Sequence, residues 1–94
     1  MGLPPLCNQT YWDVFKEVQK YDAESAARLR DVKRAFESKG DYTIHNALRV
    51  LRGRGLISWE YRYKQDGEHG VYYWRRDVPE RDIELAFDWK MIKR

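Results

Sequence analysis

At 94 residues, 43% hydrophobic and 35% charged, the chain has room for one domain, is too apolar for intrinsic disorder and holds no apolar run of ~20 residues that could span a membrane. Its net charge of +3 is unevenly spread: residues 1–27 carry two basic and four acidic side chains, residues 28–76 twelve and six, residues 77–94 four and five. Positive charge in the middle of the chain favours a polyanionic partner at one surface, although a mixed, solvated exterior accounts for the charge alone equally well.

Residues 1–9 contain Pro4-Pro5 and read as an extended lead-in. No basic segment precedes an apolar one there, so no secretory signal is expected. Leu6 stands where a myristoylation pattern needs Ser or Thr. Cys7 is the single cysteine; without an internal disulfide, a cytoplasmic protein is expected, nucleoid-associated if its source is bacterial, archaeal or viral. Cys7, His45 and His69 stand at no metal-ligand spacing, so no metal is expected and Cys7 reads as a packed or partly exposed thiol.

Thr10 reads as a helix cap, and Tyr11, Val14, Phe15 and Val18 at i, i+3, i+4 and i+7 predict a helix over 10–21. Asp22 can cap a second stretch, in which Leu29, Val32 and Phe36 share a face. One helix over 23–37 fits, and so does an extended segment 27–30 followed by a helix over 32–38 capped by Asp31. Gly40 ends either version. Asp41 then caps a helix over 42–52 with the apolar stripe Ile44, Ala47, Leu48 and Leu51, terminated by Gly53 and Gly55. From Leu56 the period becomes two: Ile57, Trp59, Tyr61 and Tyr63 alternate with Ser58, Glu60, Arg62 and Lys64. A turn composition over 65–70 and an aromatic, β-branched run over 71–76 complete a β-hairpin over 57–76. Pro79 opens a last helix over 79–92, with Glu80 and Asp82 in its first turn.

The order helix, helix, helix, hairpin, and the stretch from Asp41 to Ile57, resemble the recognition helix and first wing strand of winged helix-turn-helix transcription regulators. Thr43, Ile44, Ala47, Leu48, Arg49, Leu51, Gly55, Leu56 and Ile57 carry the match, and Asp31-Val-Lys-Arg-Ala-Phe resembles the preceding scaffold helix. The match covers 31–76 well and extends loosely back to residue 10. It departs between Tyr21 and Asp31, where no first strand stands out, and at an unusually aromatic wing. The resemblance implies an α+β winged helix-turn-helix domain over 10–76: three helices and a two-stranded hairpin wing, followed by a C-terminal helix within 77–94. It also implies sequence-specific binding of double-stranded DNA, with the helix over 42–52 in the major groove and the hairpin against the backbone or in the minor groove.

Helical geometry sets Tyr42, Asn46, Arg49 and Gly53 opposite the apolar stripe, flanked by His45 and Arg52. Asn can pair with adenine, Arg with guanine, and Tyr42 can meet a phosphate or a thymine methyl group. Tyr42, Thr43, His45, Asn46 and Arg49 are the base-contact candidates, although any surface helix carries a polar side. Backbone and wing candidates are Lys33, Arg34, Arg52, Arg62, Lys64, His69 and Arg75. Arg62 and Lys64 face away from the aromatic side of their strand, and Arg28 and Arg30 are placed to anchor the domain on phosphates. Trp59, Tyr61, Tyr63, Tyr73 and Trp74 are expected to pack within the hairpin rather than stack on bases.

In the last helix Ile83, Ala86, Phe87 and Met91 take one side and Leu85, Trp89 and Ile92 nearly the opposite one. A second copy is therefore expected on the latter, giving a homodimer. No paired carboxylates, nucleophile–base set or phosphate-cradling glycine loop is present, so neither an enzyme nor a cofactor is expected. The alternative is a winged-helix protein–protein interaction module within a larger assembly that does not bind DNA. The operator and any small-molecule effector are not legible.

Overall fold

The computed structural model describes residues 4–63 and 69–88. Four helices and a two-stranded antiparallel sheet follow as α1 (Gln9–Val18), α2 (Leu29–Lys33) running into a 3-10 turn (Arg34–Phe36), α3 (Asp41–Gly53), β1 (Ile57–Arg62), β2 (Gly70–Arg75) and α4 (Glu80–Ala86). This is a small α+β domain, and its element order is compatible with a winged helix. Among the described residues, no helix is long and apolar enough to cross a membrane.

Asn8, rather than Thr10, caps α1: its side-chain oxygen accepts from the Thr10 and Tyr11 N–H groups at 2.8 and 3.4 Å. The helix expected to reach residue 21 ends at Val18 because Tyr21 is taken up by the sheet, its carbonyl accepting from the Arg75 N–H at 3.0 Å. Asp22 caps a turn rather than a helix, accepting from Glu24 and Ser25. Neither version of residues 23–38 holds in full. Ala27 is extended and exchanges both backbone hydrogen bonds with Tyr73, each 2.8 Å, which supplies the missing first-strand position as a single bridge. The helix then starts at Leu29, with the Arg28 N–H donating to the Asp31 carboxylate at 2.9 Å.

Gly40 is the N-cap of α3 and Asp41 its first residue, where it pairs with Lys33 and ties α2 to α3. Ile44, Ala47, Leu48 and Leu51 all enter the core, against Val14, Phe15 and Val18 of α1 and Val32 of α2. Gly53 is still helical; the chain turns at Gly55, where φ is +71°. A Cβ there would sit 3.1 Å from the Arg76 guanidinium, which itself donates to the Gly55 carbonyl at 3.0 Å. Gly55→Ala is therefore expected to cost about 1–2 kcal/mol, the penalty of left-handed backbone for an L side chain. A urea midpoint shifted down at unchanged slope is the signature; parental stability would contradict it.

The helix expected over 79–92 stops at Ala86, and Pro79 is its cap rather than its first residue. Phe87 has extended backbone, and its ring is fully buried between Trp12 at 5.1 Å and Phe15 at 5.4 Å. Buried Leu6 closes the same end of the core, its N–H donating to the Ala86 carbonyl at 2.6 Å. The continuous two-faced helix that the dimer expectation needs is thus broken at residue 87. Leu85 is exposed, while Trp89, Met91 and Ile92 lie outside the described residues. Cys7 is an exposed thiol.

Candidate nucleic-acid interface

Burying one stripe of α3 turns its other side outward. Tyr42 is 78% exposed, and Thr43, His45 and Arg49 are exposed with it. Asn46 differs from its neighbours: it is half-buried and its amide donates to the Tyr11 hydroxyl at 3.1 Å. A paired contact to adenine would compete with that bond. Arg52, one turn beyond Arg49, is half-buried with its guanidinium 4.2 Å from the Trp59 ring centroid, joining α3 to β1.

His45 and Arg52 also wall an open cavity of about 400 Å³ between α2, α3 and β2, lined otherwise by Arg28, Leu29, Arg30, Val71 and Tyr73. Three arginines and a histidine thus surround apolar side chains, and among the described residues no carboxylate lines the cavity. The Arg28 guanidinium lies at the edge of the sheet, donating to the His69 carbonyl at 3.3 Å with the Tyr72 ring 5.7 Å away. Burial pushes the Tyr73 phenol above its ordinary value, with Arg52 pulling weakly the other way, so it remains neutral at physiological pH. The chemistry of such a corner is that of an anion receptor: charge-assisted hydrogen bonds from guanidinium groups, in partly excluded water.

The sheet extends this corner. Its register pairs Ile57 with Arg75, Trp59 with Tyr73 and Tyr61 with Val71, which places all six on one face. Ile57 and Tyr73 are buried, but exposure rises from 46% at Trp59 to 57% at Tyr61 in β1 and 83% at Tyr63 just past its end. His69 stacks on Tyr63 at 5.1 Å and tilts toward Tyr61 at 6.3 Å. Of the hairpin aromatics expected to pack, Tyr73 is buried and Trp59 lies opposite it with Arg52 on its ring, while Tyr61 and Tyr63 are exposed with His69 beside them. A signal was present: a single alternating face carrying four large residues is too long for one helix to cover.

Arg62 corrects a second expectation. Facing away from the aromatics of its own strand brings it onto those of β2, 5.3 Å from the Tyr72 ring and 5.0 Å from that of Trp74. Its Nε donates to Glu60 at 2.6 Å and its Nη2 to the Ala23 carbonyl at 2.8 Å. It clamps the loop after α1 to the sheet and is poorly placed for a phosphate. Lys33 is engaged by Asp41, Arg34 is exposed with Asp31 at 3.6 Å, and Arg75 is exposed. Lys64 lies outside the described residues. The structure therefore brings His45 and Arg52 together with Arg28 and Arg30, leaves Tyr42, Thr43 and Arg49 exposed on α3, and sets Arg62 apart. No protein-family model and no curated protein sequence matches this chain.

Proposed function

We propose that this domain binds double-stranded DNA sequence-specifically as a transcriptional regulator, with α3 in the major groove and the β1–β2 hairpin as its wing. The observation that supports it is the join between two surfaces. The exposed side of α3, with Tyr42, His45 and Arg49, leads into a cavity walled by Arg28, Arg30 and Arg52, with no carboxylate among its described lining residues. A helix that reads base edges needs backbone anchors beside it to fix its register, and this corner supplies them.

Titration with random duplex at low salt tests binding, and selection from a random pool then yields the site. No binding to either would overturn the reading. At the selected site Arg49→Ala is expected to cost about 1–3 kcal/mol, while its effect on random duplex is small. Equal losses on both would place Arg49 on phosphate instead. Asn46→Ala is expected to have the smaller effect, because its amide is already engaged by Tyr11.

A homodimer on a two-fold symmetric site belongs to the same reading, with exposed Leu85 on the surface a second copy would cover. Sedimentation showing a monomer at high concentration removes that part. The second reading, a protein-interaction module without DNA affinity, draws on the exposed aromatics of β1, and it predicts no duplex binding at low salt.

A further inference from the structure

Tyr61 and Tyr63 leave more ring surface exposed than the packing of the hairpin requires, and Trp59 beside them is still 46% exposed. Trp59 and Tyr61 lie at alternate positions of β1 on one face, and Tyr63 follows just past the strand end with the His69 ring stacked on it. Alternate strand residues stand ~6.8 Å apart. That is about twice the ~3.4 Å rise per nucleotide along a duplex strand, so these rings match bases drawn apart rather than a closed stack.

The charges around the stripe decide its occupant. Among the described residues of this sheet face there is no acidic side chain; Glu60 lies on the other face, bonded to Arg62. Arg75 is on the same face, Arg52 stacks on Trp59, and the arginine-lined cavity adjoins at Val71 and Tyr73. An apolar protein partner would have to bury these cations without counter-charges. A nucleic-acid strand offers flat apolar bases for the rings and phosphates for the arginines together.

We propose that Trp59, Tyr61, Tyr63 and His69 form a stacking platform for unpaired nucleobases, so that the domain prefers a duplex that opens into single strand beside α3. This rests on the nucleic-acid reading above but adds a substrate feature to it. The rings stack on the first unpaired bases, while Arg52 and the cavity arginines hold the backbone at the junction.

The test compares three probes by fluorescence anisotropy: a blunt duplex, the same duplex with a thymine-rich single-stranded extension, and one whose extension is abasic. The thymine extension is expected to tighten binding about fivefold or more, the low end of what a stacked base contributes, and the abasic extension much less. In Tyr61→Ala/Tyr63→Ala the ratio of extended-probe to blunt-duplex affinity falls to one, and in Tyr61→Phe/Tyr63→Phe the parental ratio survives. Both residues are exposed, so matching thermal unfolding of the variants confirms an intact fold. Equal binding of blunt and extended probes, or an advantage that persists in the alanine pair, overturns the platform and leaves the duplex reading standing. Binding of the thymine extension without any blunt-duplex binding supports the platform and removes the duplex reading. No binding to any probe overturns both.

Discussion

Replacing Arg28 and Arg52 together by alanine is expected to weaken duplex binding roughly 50-fold at 0.1 M salt, if each guanidinium neutralises one phosphate. The estimate follows from counterion release: each lost phosphate contact lowers the slope of log affinity against log salt by about 0.9, so the pair lowers it by about 1.8. Both arginines line the cavity between α2, α3 and β2, which has no carboxylate among its described lining residues. The loss should be nearly the same for selected and random duplex, unlike that of Arg49→Ala, because a phosphate carries no base identity. Arg52→Ala also gives up its stacking on Trp59, worth about 0.5–1 kcal/mol at a partly exposed site, so thermal unfolding of the variant must accompany the titration. A folded double variant with the parental salt slope would show that phosphate does not occupy the corner.

Phe87→Ala carries the largest expected effect on stability, a loss of about 3–5 kcal/mol. Small domains hold only about 5–15 kcal/mol in total, so the variant gives up a large share of its stability. The ring is completely buried, touches Trp12 edge-on and packs beside Phe15, so its removal leaves a cavity among side chains that already interlock. Urea unfolding at two protein concentrations gives a second reading. A ring that seals its own subunit predicts a deficit independent of concentration, whereas one at a subunit boundary predicts a deficit that shrinks as concentration rises. A loss below about 1 kcal/mol would mean that the site collapses around the deletion.

The helical stripes were legible because burial imposes their period. Ile44, Ala47, Leu48 and Leu51 are fully buried as their spacing requires, and the switch to a period of two at Leu56 marks the hairpin to within a residue. What the pattern missed was decided by contacts distant in the chain. Nothing local distinguishes Tyr21 in a helix from Tyr21 bonded to Arg75, or Ala27 in a helix from Ala27 bridged to Tyr73. Phe87 kept helical spacing with Ile83, yet the room beside Trp12 draws it out of the helix. Among the site residues, periodicity placed His45 and Arg49 outward correctly, but it could not see Tyr11 reaching Asn46 or Ala23 and Tyr72 capturing Arg62. Polar side chains on a surface become free or engaged according to what the rest of the chain brings beside them.

The hydrogen bond from Leu6 to Ala86 also bears on engineering. It holds the two flanks of the folded region side by side, so both strands of connecting polypeptide leave from a single spot. A short peptide could join them, and the unit could be spliced into a surface loop of a host protein through one paired attachment, carrying its α3–hairpin corner along as a ready-made cassette.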